Sequence, residues 1–128
     1  MDFELTEEHR IFQKFIRDFA EKEIAPLVDE AEENNIFPRQ LFKMMGEMGF
    51  LCPRYPEELG GGGGDKITEI IMAEELNRIN AGIAASLMVQ GGLSTQPIYY
   101  YGSEEQKQRI LLQGEVPDLP ESAPLGDG

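Results

Sequence analysis

The stretch Ile83–Tyr101, IAASLMVQGGLSTQPIYYY, contains no charged residue in a chain that is 27% charged. A segment that is apolar or small on every side has no face to offer to water, so it predicts a buried helix at the centre of a helical bundle. It is too short for a membrane span, and Gln90, Ser94, Gln96 and Pro97 interrupt it. Downstream, Ser103-Glu104-Glu105-Gln106 has the pattern of a capping box and predicts a last helix through Leu112, ended by Gly114. Upstream, a break at 80–82 separates the stretch from a helix that Asp65 can cap, in which Ile67, Ile70, Ile71 and Leu76 mix with Glu74 and Glu75.

Toward the N-terminus, Thr6 can cap a helix whose first turn holds Glu7 and Glu8, carboxylates favoured at the positive end of the helix dipole. Ile11, Phe12, Phe15, Ile16 and Phe19 recur at steps of three and four and predict one buried stripe. Pro26 lacks an amide hydrogen and predicts a kink or break, beyond which Leu27, Val28 and Ala31 stay on the buried side while Asp29, Glu30, Glu32 and Glu33 form a solvated face. Phe37 and Pro38 open a second helix, with Leu41, Phe42, Met45 and Met48 on one side and Gly49 at its end. The prolines at 53 and 56 and the run Gly60–Gly64 predict an irregular loop with a flexible connector. No segment alternates as a strand would, so the expected fold is an all-α helical bundle over residues 1–114, followed by an irregular, acidic, proline-rich tail over 115–128.

The 24 acidic residues against 11 basic ones give a formal charge of −13, which repels the phosphates of nucleic acids and of anionic lipid surfaces. The lone Cys52 cannot form an internal disulfide, and no signal-like apolar run opens the chain, which predicts a soluble intracellular protein, cytoplasmic or in the mitochondrial matrix of a eukaryote. Cys52, between Leu51 and Pro53 with no basic cluster nearby, reads as a small buried filler.

Several chemistries fail on spacing. A phosphate loop counted from Gly60 would place Asp65, Lys66 and Ile67 where glycine, lysine and a hydroxyl residue belong, and a dinucleotide fingerprint would need glycine at Asp65. A carboxylate-bridged metal pair requires Glu-x-x-His, but Thr6 stands three positions before His9, the only histidine. His9, flanked by Glu8 and Arg10, reads as a surface helix residue. Ser86, Ser94 and Cys52 have no histidine near in sequence to activate them.

The order of several short segments is informative. Leu5-Thr6-Glu7-Glu8, Phe19-Ala20-Glu21-Lys22-Glu23-Ile24-Ala25-Pro26, Phe37-Pro38, Met48-Gly49-Phe50, Pro56-Glu57-Glu58-Leu59-Gly60-Gly61, Ala73-Glu74-Glu75-Leu76 and Tyr101-Gly102-Ser103-Glu104-Glu105-Gln106-Lys107 follow one another with bundle-like spacing. Over its first 115 residues or so the sequence resembles the N-terminal helical domain of the acyl-CoA dehydrogenases. The resemblance implies FAD as cofactor, acyl-CoA thioesters as substrates, α,β-dehydrogenation as the reaction, and further dehydrogenase domains or subunits as partners. It also implies that the buried helix lines one wall of the acyl-chain channel through Ser86, Leu87, Gln90 and Gly91, with Gln90 and Gly91 toward the closed end. Small residues there would equally serve plain helix packing. In this family the catalytic glutamate lies beyond these residues. After Gly114-Glu115 the family's flavin and substrate motif does not appear, apart from a faint echo in Glu121, Gly126 and Asp127, so no catalytic or metal residue is assigned. The expectation is a shortened or rearranged member, inactive alone, or a non-enzymatic helical module that pairs with a separate dehydrogenase chain.

Overall fold

The computed structural model describes residues 4–111, and every regular element among them is helical. Helix α1 (Glu7–Phe19) starts at Thr6, whose Oγ1 accepts from the His9 amide while His9 Nδ1 accepts from the Thr6 amide. This exchange satisfies two amides that a helix start would leave without partners. With Nδ1 accepting, the ring proton sits on Nε2, which meets Asp65 at 3.0 Å. Asp65 in turn caps α4 (Lys66–Asn77) by accepting from the Thr68 amide at 2.8 Å. That amide above all, with smaller help from His9, holds the Asp65 carboxyl below its ordinary range. The expected surface position of His9 is therefore wrong: it is buried, because a residue 56 positions away supplies its partner.

Farther along α1, Arg17 donates to Glu75 at 2.7 and 2.9 Å, and Gln13 joins at 3.2 Å. The pairs His9–Asp65 and Arg17–Glu75 advance together, so α1 and α4 run parallel. Glu75 is only 2% exposed and takes a further bond from Arg78 at 2.8 Å. A carboxylate can stay charged there because four donor groups replace its lost water. Between these polar ties lies an apolar core that includes Ile16, Ile24, Leu41, Met45, Leu76 and Leu87. Phe12 and Phe19 lean on it as the α1 stripe predicts, but Ile11 is 64% exposed and Phe15 nearly half exposed, so the buried stripe is narrower than the spacing suggests.

The expected break near Pro26 takes a specific form. Ala20–Ile24 make a π turn, and α2 (Ala25–Asn34) resumes with Pro26 in its first turn. The wider turn moves the preceding carbonyls away from the proline ring, which a regular α-helix would drive into them. Asp29, Glu30, Glu32 and Glu33 are exposed, as expected. Helix α3 (Gln40–Glu47) starts later than predicted: Pro38 lies just outside it, with its carbonyl accepting the Leu41 amide. Gly49 ends α3 in the left-handed conformation, φ 77°, and the Phe50 amide reaches back to the Met45 carbonyl.

The glycine run corrects another expectation. The amides of Gly61, Gly62, Gly63 and Gly64 donate to the carbonyls of Pro56, Cys52, Tyr55 and Pro53. A side chain at Gly61 would collide with the Tyr55 backbone. The run is thus a close-packed, hydrogen-bonded turn rather than a flexible connector, and glycine is required because two backbones meet there.

The uncharged stretch is not one buried helix. Asn80 caps α5 (Ala81–Val89) through the Ile83 amide, a second π turn follows over Gln90–Ser94, and α6 (Gln96–Tyr101) runs after it. Ile83, Ala84 and Leu87 enter the core, whereas Leu93 is 81% and Tyr101 90% exposed. α7 (Glu104–Leu111) opens with the capping box read from Ser103 and Gln106, at 3.0 and 3.2 Å. Leu112, Gly114 and the 115–128 tail lie outside the described residues.

Candidate functional site

The residues assigned to the wall fall into pairs along α5 and the π turn that follows it. Leu87 and Gly91 are four apart, lie on the inner side and are buried. Ser86 and Gln90, also four apart, lie on the outer side, the first exposed and the second half-buried. Ser86 Oγ donates to the Gly82 carbonyl at 3.0 Å, a bond internal to the helix. Gly91 packs so tightly on the Leu51 carbonyl that a β-carbon would overlap it. Val89 and Leu93 leave apolar side chains exposed along the same segment, followed by Tyr100 and Tyr101 on α6.

Behind the π turn lies a buried polar cluster that the sequence did not single out. Thr95 is 1% exposed, and its Oγ1 donates to the Gln90 carbonyl. Its single proton is used there, so the Tyr55 hydroxyl, 3.0 Å away, must donate to Thr95. The Tyr55 ring stacks on Tyr99, with centroids 4.4 Å apart. Burial pushes both the Tyr55 phenol and the nearby Cys52 thiol up, so both stay protonated near neutrality, and Cys52 is the buried filler expected of it. The only cue in the sequence was a threonine inside an uncharged run, which spacing alone does not pair with a tyrosine 40 positions earlier.

A cleft of about 190 Å³ lies elsewhere, at the corner between α2 and α3, against Leu27, Ala31, Ile36 and Phe37. It contains none of the wall residues. Among the described residues no cluster of histidine, cysteine or carboxylate groups could hold a metal ion, and no helix is long and apolar enough to cross a membrane.

The family model for the acyl-CoA dehydrogenase N-terminal domain matches residues 6–113. The chain belongs to this family. A probable acyl-CoA dehydrogenase of Bacillus subtilis is 42% identical over 111 residues, covering 87% of this chain and 29% of that protein. Butyryl-CoA dehydrogenase from Megasphaera elsdenii superposes with a TM-score of 0.78 at 34% identity, over 89% of this chain and 30% of that one. A structure from work on the electron transferring flavoprotein of Acidaminococcus fermentans and flavin-based electron bifurcation gives 0.80 at 41% identity, over 88% and 30%. The chain therefore spans about 30% of the length of these acyl-CoA dehydrogenase relatives.

Family membership makes the fit of FAD a question for the residues present. From Ile79 to Ser103 the chain has no lysine, arginine or histidine. That segment supplies no cation for a diphosphate group.

Proposed function

We propose that this acyl-CoA dehydrogenase N-terminal domain, residues 1–114, serves an FAD-dependent α,β-dehydrogenation of acyl-CoA thioesters by forming one wall of the acyl-chain and flavin site. Ser86, Leu87, Gln90 and Gly91 are the wall residues, and the acidic 115–128 tail leads toward where a β-barrel domain begins in the family. The observation that carries this reading is the match over residues 6–113. The exposed Val89, Leu93, Tyr100 and Tyr101 support it, since apolar groups beside the wall are ready to be covered by other dehydrogenase domains or subunits. In this reading the 128 residues alone are inactive, because the family's catalytic glutamate lies beyond them, and among the described residues the buried Glu75 is held by Arg17 and Arg78. The setting is a soluble intracellular compartment, with an electron-accepting protein as a further partner.

The test is the flavin absorbance and acyl-CoA-dependent dye reduction of the purified chain, alone and mixed with separately produced barrel and C-terminal bundle domains. A helical, colourless, inactive chain that becomes yellow and active in the mixture is expected. Dye reduction by the chain alone would overturn its inactivity. A mixture that forms a complex without flavin or turnover would favour the second reading, a non-enzymatic helical module that pairs with a separate dehydrogenase chain, for which the same exposed apolar groups speak.

A further inference from the structure

We propose that Tyr55 and Thr95 are positioning residues that fix the register of the π turn Gln90–Ser94 and thereby set how far an acyl chain can extend along the wall. The inference rests on the assignment of Gln90 and Gly91 to that wall. A π turn carries one more residue per turn than an α-helix, so gaining or losing it rotates every following side chain by about 100° and shifts the segment by about 1.5 Å. Such turns persist where the surroundings favour them over the α register. Here two contacts do so. The chain Tyr55 O–H to Thr95 Oγ1–H to Gln90 carbonyl ends on the first residue of the turn. Gly91, the next residue, rests its backbone on the Leu51 carbonyl. Both contacts reach back to the packed 51–55 segment, which its bonds to the glycine run hold rigid through the Cys52, Pro53 and Tyr55 carbonyls.

Tyr55 and Thr95 lie behind the turn, buried, with their hydroxyl groups spent on each other and on the Gln90 carbonyl. Their effect on a ligand would pass through the side chains that follow Gln90 and Gly91 along the wall. In an α register the side chains that follow in the turn and beyond it, Leu93 among them, would rotate by about 100° and change which groups come after Gln90 and Gly91 along the wall.

The test compares Thr95→Val, which keeps the shape and removes both hydrogen-bonding roles, with Thr95→Ser, which restores them, and with Tyr55→Phe. Each variant is read by amide hydrogen exchange over residues 90–96 in the chain itself. Each is also read by its profile of kcat/KM across straight acyl-CoA thioesters from four to twelve carbons, in complex with the barrel and C-terminal domains. Thr95→Val and Tyr55→Phe should speed exchange in the turn at least tenfold and change the ratio between neighbouring chain lengths at least fivefold with flavin content unchanged, while Thr95→Ser stays like the parent. Unchanged exchange, or faster exchange with an unchanged profile, overturns the proposal, and Tyr55→Phe decides if Thr95→Val fails to fold. A parent complex without flavin or turnover would instead remove the wall assignment, and with it this inference.

Discussion

The turns Ala20–Ile24 and Gln90–Ser94 share the π form, and each precedes a proline in the first turn of the next helix. What holds them differs. The first is anchored by burial, with Ala20 and Ile24 each 1% exposed in the core, and it continues a helix tied by ions through Arg17 and Glu75. The second is anchored by neutral hydroxyl groups and one backbone contact, and it leaves Leu93 in the open. An identical backbone device thus serves once as a way around a proline inside the core, and once as a support for a surface that offers apolar groups to something else. Substitutions and acid should separate the two.

The largest effect is expected at the first turn. Ile24→Ala removes a core side chain and should cost about 2–5 kcal/mol, read as a lower midpoint in urea. At the second turn adjacent glycines give opposite results. Gly91→Ala drives a methyl group into the Leu51 carbonyl and should cost about 1–3 kcal/mol, whereas Gly92, with nothing within 4 Å of its missing β-carbon, should accept alanine with no loss or a gain of a few tenths of a kcal/mol. Equal costs for the two would mean that the Leu51 contact does not hold the turn.

Acid gives the finest separation. The Arg17 guanidinium, with Arg78 adding to it, lowers the Glu75 carboxyl from 4.5 to about 2. A depressed carboxyl contributes its full stability above pH 4.5 and loses it as the pH falls toward 2, so roughly 1–2 kcal/mol should be gone by about pH 3. Amide protection in α1 and its π turn should fall across that window, and Glu75→Gln should flatten the response. The Tyr55–Thr95 side has no carboxyl in its hydrogen-bond chain, so exchange in the second turn should respond less. Equal sensitivity in both turns would show that they open as one unit.

The parts of this fold that the sequence displays are those that short-range chemistry decides. Thr6, Asp65 and Ser103 cap helices and Gly49 ends one because a side chain or a positive φ acts within a few residues. The family was legible for a similar reason, since its landmarks are mostly such caps and turns in a fixed order. His9, Glu75 and Thr95 were not legible as buried polar groups, because Asp65, Arg17 and Tyr55 lie 56, 58 and 40 positions away. The glycine run misled for another reason: glycine permits flexibility and close backbone approach alike, and the partner carbonyls that chose the second were not visible as a motif. Nor does a π turn have a residue signature of its own, so Ile83–Tyr101 read as one helix and its exposed end as core. The four wall residues came from the resemblance, and helical spacing now divides them into an inner and an outer pair.

The parallel pairing of α1 with α4 also has a consequence for how the protein is made. Arg17 leaves the ribosome 58 residues before Glu75, an interval of about 3–12 s at ordinary elongation rates. Throughout it, α1 has neither its ion partner nor the helix it runs beside. The nascent chain therefore carries α1 with the partners it finds at Leu41, Met45 and Phe50 but without α4, and synonymous codons between Gly49 and Lys66 are a place where slowing translation would lengthen that interval.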